Sequence, residues 1–248
     1  MNSALASSGA QPDGMTSQDE DFSAGLLALH TLIESLEWPL GMKTVGIGLS
    51  RVWSGRNKRI TIEHRVSVEK DGILIDFPVQ GVIADNPPKC KARSDKPRVE
   101  DDLPMGIFLV DRASSCWLTS PDCDPELSAT RDLFEPQGPQ RILEQAIARG
   151  EISPLRNFVG AKNHATKMIS YRAGRRFVVR VRNADENSAG VYLKGFRGSP
   201  GPQSAQRASE LAGLLSDRSA GQIRVPSLMG LIPDTHLLVF SEIWPPPT

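Results

Sequence analysis

The stretch "VYLKGFRG", residues 191–198, sets one lysine inside a short apolar run. Strand alternation puts Tyr192, Lys194 and Phe196 on one face and Val191, Leu193 and Gly195 on the other. An unpaired cation in such a strand is costly to bury, so the pattern calls for a carboxylate and a bound anion to share its charge. The only acid between Lys194 and Asp217 is Glu210. Its separation leaves room for a loop and about two helical turns, enough to bring a helix carboxylate back to the lysine. A lysine held in this way can grip a phosphate.

The other chemistry-bearing clusters have simpler readings. Asp122, Asp124 and Glu126 have the alternating spacing of a calcium loop but lack its glycine and its later glutamate, so turn and cap formation is expected of them. The basic cluster "RNKR" and the arginines at 172, 175, 176, 180 and 182 suggest a nucleic-acid surface. The strand arginines alternate with Val179 and Val181, however, which fits a solvated sheet face, and Trp38, Trp53, Trp117 and Trp244 are too scattered for a stacking platform. There is no P-loop, dinucleotide-binding glycine fingerprint, zinc spacing or G-x-S-x-G elbow. No nucleic-acid partner is expected.

The 248 residues carry 29 Lys+Arg and 29 Asp+Glu, so no global field draws the chain to nucleic acid or to an anionic membrane. The balance is uneven: net charge is −6 over residues 1–150 and +6 over 151–248. That asymmetry fits an anionic ligand on the second part, or two parts that face each other. Three cysteines without a CxxC pair fit a reducing cytoplasm. The N-terminus lacks the basic and apolar regions of a signal peptide, and no apolar run is long enough to span a membrane.

Stepping along the chain, residues 1–20 are polar and read as a disordered tail. Residues 21–150 read as an α+β N-terminal extension. In it, Phe22, Leu26, Leu29, Ile33 and Leu36 share one helical face, and Pro39 ends that helix. Ile60, Ile62, Val66 and Val68 alternate with polar residues, and Asp71-Gly72 marks a hairpin turn. Residues 84–104 are Pro-rich and charged and read as a solvated loop, with "GIFLV" after it a short buried strand or the start of an apolar turn. "GPQRILEQAIARG" reads as a helix from Pro139 to Gly150. Residues 151–248 then give three strands, a helix over 203–217 with Ala208, Leu211, Leu214 and Leu215 on its apolar side, and two more strands separated by "PDT".

That order, β-β-β-α-β-β, with a lysine on the third strand and a glutamate on the helix, resembles the small lobe of the protein-kinase-like fold, and in particular the aminoglycoside/choline-type phosphotransferases. The segments "SYRAGRRFVVRV", "VYLKGFRG" and "RVPSLMGLIPDTHLLVFSEIWP" carry the likeness, over roughly residues 165–246. The resemblance implies that Lys194 contacts nucleotide phosphates and Glu210 holds it in place. It further implies that the turn at Gly174 lies over those phosphates and that backbone near Glu242, Ile243 and Trp244 meets the adenine edge. The implied cofactor is ATP, with Mg only where a catalytic lobe is supplied.

Two features depart from the pattern: "RAGRR" has a single glycine, and Tyr192 stands where protein kinases keep a small residue. The chain reaches Thr248 just past the implied hinge, and none of its four histidines opens an H-x-D-type catalytic loop. The resemblance therefore implies an ATP-binding small lobe without its catalytic lobe, whose exposed hinge end invites a partner or self-association. The alternative from another class is a non-enzymatic α+β interaction module, which has no need of a Lys194–Glu210 pair.

A second likeness lies within the chain. "SGRNKRITIEHRVSVEKDGILIDFPVQGVI" aligns with "RAGRRFVVRVRNADENSAGVYLKGFR", matching Gly55 to Gly174, Gln80 to Lys194 and Gly81 to Gly195. The first copy would be a degenerate lobe without its lysine. The general pattern of hairpins accounts for this likeness more simply.

Overall fold

The computed structural model describes residues 17–39, 41–55, 58–89, 97–100, 103–127, 129–135, 137–152, 164–183, 190–198, 206, 207, 209–211, 213, 214 and 225–242. The architecture is α+β and antiparallel, as the sequence implies.

The first unit opens with helix α1 (Ser17–Glu34), which takes in the last residues assigned above to the tail. Its stripe behaves as the periodicity requires. Leu29, Ile33 and Leu36 are buried, Phe22 and Leu26 pack alongside, and Leu27 on the far side is 69% exposed. Each fully buried aliphatic chain contributes about 2 kcal/mol. The stripe lies on the inner face of a five-stranded sheet, against Ile62, Val66, Phe77, Val79 and Leu118. The strands are β1 (Lys43–Ser54), β2 (Ile60–Lys70), β3 (Ile73–Ile83), β6 (Phe108–Asp111) and β7 (Cys116–Thr119), in the spatial order β1-β2-β3-β7-β6. Asp71 and Gly72 both have positive φ, at 52° and 78°, which is the mirror-image turn that matches strand twist. Gly81 lets helix and sheet approach: a Cβ there would lie 2.6 Å from the Leu29 side chain.

Residues 84–104 are more than a solvated loop. They contribute a small hairpin of β4 (Arg98–Glu100) and β5 (Leu103–Met105), with Pro104 and Met105 buried. Strands β1 and β7 had no sequence signal strong enough to mark them. In β7 all four residues are buried, so no alternation is visible.

The second unit has helices α2 (Ala129–Leu133) and α3 (Gly138–Ala148), then β8 (His164–Arg172), β9 (Arg176–Asn183), β10 (Val191–Phe196), β11 (Leu228–Ile232) and β12 (Leu237–Ser241). Helix α3 carries Pro139 at its start, and Gly150 follows its end with φ 71°. Leu133, Ile142, Leu143 and Ala146 cover the inner face of this sheet, meeting Phe177, Val179, Val181, Leu193 and Val239. Helical residues do occur between 206 and 214, but Leu211 and Leu214 are 58% and 54% exposed. Of the expected apolar side these two leucines do not pack; Ala208 and Leu215 lie outside the described residues.

The spatial order here is β8-β9-β10-β12-β11, all antiparallel. Numbered within each unit, both sheets read 1-2-3-5-4. Glu63 and Thr119 flank Gln80 just as Val178 and Leu238 flank Lys194, and Gly81 and Gly195 each follow on the inner side. The aligned residues thus occupy equivalent positions in two sheets of one topology, and hairpin likeness alone does not account for that.

Candidate functional site

Lys194 sits on the central strand of the second sheet, on the face away from α2 and α3. Its Nζ lies 5.3 Å from the centre of the Phe196 ring. Burial, then the neighbouring Arg176 charge, lower its pKa. Glu210 accepts instead from Gln206 Nε2 at 2.8 Å on an exposed helical turn. Among the described residues the two form no ion pair, so the expected Lys194–Glu210 clasp is not assembled.

Gly174 is also committed elsewhere. It is buried with φ 60°, and its N–H donates to Asp124 Oδ2 at 2.6 Å. Its amide is therefore not open to a phosphate. The Glu242 N–H, expected at an adenine edge, donates to the Gly190 carbonyl at 3.0 Å. The Glu242 carboxylate accepts from Arg182 Nε and Nη2 at 2.8 and 2.6 Å and from the Gly190 N–H at 2.7 Å. Burial alone would raise its pKa; Arg182, the Gly190 amide and Arg180 outweigh that and hold it below the usual carboxylate range. Ile243 and Trp244 lie outside the described residues.

The strand registers place more around Lys194 than its own strand shows. Three rows cross the outer face of the sheet: Arg172, Arg176 and Phe196; then Ser170, Val178, Lys194 and the buried Leu238; then Lys167, Arg180, Tyr192 and Phe240. These rows hold five cations and three aromatic rings, with no acid. Glu242 stands at the margin and engages Arg182 and, at 3.9 Å, Arg180. The acid-free part of the face therefore carries the field of Lys167, Arg176 and Lys194.

At its β8 end this face runs into the junction between the sheets. The β8–β9 turn is held there by residues of the first unit. Gln80 Nε2 donates to the Tyr171 carbonyl at 2.9 Å and Gln80 Oε1 accepts from the Ala173 N–H at 2.8 Å. Arg59 Nη2 pairs with Glu126 at 2.6 Å and lies within 3.3 Å of the Ala173 carbonyl, while its guanidinium sits over the Trp117 ring. Asp124 also accepts from Tyr171 Oη at 2.8 Å and from the Glu126 N–H at 3.0 Å. Burial pushes its carboxyl pKa up, against the lowering effect of the Gly174 and Glu126 N–H groups and Tyr171. Asp122 accepts from the Gly106 N–H at 2.9 Å and from Ser120 Oγ at 2.6 Å. These acids thus organise turns, as their spacing suggests. Sequence reading missed Arg59, Gln80 and Tyr171. Gln80 had a signal in its alignment with Lys194, and Arg59 in the basic cluster "RNKR", which pointed to a different role.

Beside the junction lies a cleft of about 450 Å³, walled by β1, β3 and the edge strand β8. Among the described residues no group of His, Cys, Asp and Glu is placed to hold a metal ion, and no helix is long and apolar enough to cross a membrane. No family model, curated protein or solved structure matches the chain.

Proposed function

We propose that this chain is a non-enzymatic α+β interaction module whose second sheet takes an acidic, aromatic-containing polypeptide segment. One observation carries the reading: the rows through Lys167, Arg176, Arg180 and Lys194, interleaved with Tyr192, Phe196 and Phe240, hold no acid. Cations of this kind steer and orient an acidic partner, and partly buried aromatic rings supply contact area at small entropic cost. A chain of zero net charge lacks the global field that nucleic-acid binders use. The test is a fluorescein-labelled peptide of alternating acidic and aromatic residues, followed by anisotropy. Binding weakens at least tenfold in the K194E/R180E double variant and with rising salt. Equal binding by that variant, no binding at all, or preferential binding of poly(U) overturns the reading.

A nucleotide-binding reading retains one supporting observation. A lysine beside Arg176 that has no paired carboxylate among the described residues also suits a phosphate group. On that reading ATP binds weakly, with Kd on the order of 1 mM. ATP and adenosine titrations followed by NMR separate the two readings, since only phosphate contact makes ATP binding depend on Lys194.

A further inference from the structure

The cleft beside the junction holds a cation, Arg172, that forms no ion pair among the described residues. Arg172 lies on the last turn-facing position of β8, with its guanidinium 5.2 Å from the centre of the Trp53 ring. Its Nε is buried and has no hydrogen-bond partner. Burial, then the like charges of Arg175, Arg176 and Arg59, lower its pKa. Arg51, across the cleft, is offset by Glu63 at 3.9 Å. Glu63 is itself engaged by Ser50 Oγ at 3.0 Å and Gln80 Nε2 at 3.1 Å, so it is held on the first sheet. Apolar side chains on the remaining walls include Pro104, Ile107, Met168 and Ile169.

A buried donor next to like charges, in a cleft of this volume whose walls mix apolar side chains with placed polar groups, fits the general form of a small-molecule site. We propose that the cleft binds an amphipathic carboxylate, with its carboxylate on Arg172 and its apolar body between Trp53 and the β8 wall. Arginine offers a carboxylate two parallel donors, which lysine cannot. The cleft shares Ser170, Arg172 and Arg176 with the margin of the outer face of the second sheet, but Trp53 and the wall from the first sheet belong to it alone, and Lys167, Arg180 and Lys194 do not line it.

The probe is 2-naphthoate, with 2-naphthalenemethanol as its neutral analogue. Binding to the full chain is followed by calorimetry and by the Trp53 indole N–H resonance, assigned through W53F. Naphthoate binds saturably, shifts that resonance, and binds at least tenfold tighter than the alcohol. The R172Q variant removes that preference. S170W, which fills the cleft from an exposed lining position, abolishes binding of both and serves where R172Q does not fold. K194E/R180E leaves naphthoate binding unchanged. Equal affinity for the two probes, undiminished binding in S170W, or no shift at Trp53 overturns the proposal.

Discussion

Gln80 and Ala173 are separated by more than a third of the chain, yet the Ala173 N–H donates to Gln80 Oε1 at 2.8 Å in the buried junction. Gln80 Nε2 in turn donates to the Tyr171 carbonyl at 2.9 Å, so one side chain satisfies a donor and an acceptor of the other sheet's turn. Gln80 stands where the second sheet carries Lys194. One outer-face position thus pins the two units together in the first sheet and, in the second, carries a lysine with no ion pair among the described residues.

Replacing Gln80 with leucine leaves the Ala173 N–H and Tyr171 C=O buried without partners. Each such orphan costs about 1–3 kcal/mol. Urea unfolding of Gln80→Leu is expected to show a loss of about 2–4 kcal/mol. A loss below about 0.5 kcal/mol would mean that the junction is wet.

Gly174→Ala is expected to cost more than an ordinary glycine substitution. The position has φ 60°, and a Cβ would collide with the Arg59 guanidinium and the Glu126 carboxylate. The loss is expected to be about 3 kcal/mol or more. Gly150→Ala is the control: its φ is 71° but a Cβ meets nothing within 4 Å, so only backbone strain of about 1 kcal/mol applies. Thermal unfolding of both variants checks the difference.

Stability should fall with acidification through His64. Its ring is fully buried and edge-on to His30 at 5.1 Å, and neither nitrogen has a hydrogen-bond partner. Burial, then the His30 charge, lower its pKa from 6.5 to about 4. Above pH 6.5 the imidazole is neutral in both states and pH has no effect through it. As pH falls from there towards 4 the unfolded chain binds a proton that the folded chain refuses, so stability is lost. Between pH 7.5 and 5 the loss is about 2 kcal/mol. The expected result is a smaller drop in the urea midpoint over that range for His64→Phe. An identical drop would assign the pH dependence to other groups.

Lys194 contributes binding potential rather than stability. Burial and Arg176 both disfavour its charged form. Lys194→Met should therefore unfold at a temperature equal to or above that of the parent chain. A lower melting temperature would reveal a carboxylate partner for Lys194.

The local elements were legible because their signals lie within a few residues of each other. The α1 stripe, the Asp71-Gly72 turn, and the Pro139 and Gly150 ends of α3 all follow from helical period or turn chemistry, and so does the succession β-β-β-α-β-β. Even the placement of Lys194 with Tyr192 and Phe196 follows from strand alternation. What they face does not. Strand β7 shows no alternation because both of its faces are buried, and Leu211 and Leu214 stay exposed while α2 and α3 cover the sheet's inner face. The amide of Gly174 is taken by Asp124, fifty positions away in the chain. Such pairings depend on which surfaces meet when two sheets of the same strand order pack together, and no period within a single segment encodes that. The types and faces of the charged residues were thus determined by sequence, while tertiary packing decided that Glu126 is matched to Arg59, Glu242 to Arg182, and that Lys194 is set beside Arg176 rather than against Glu210.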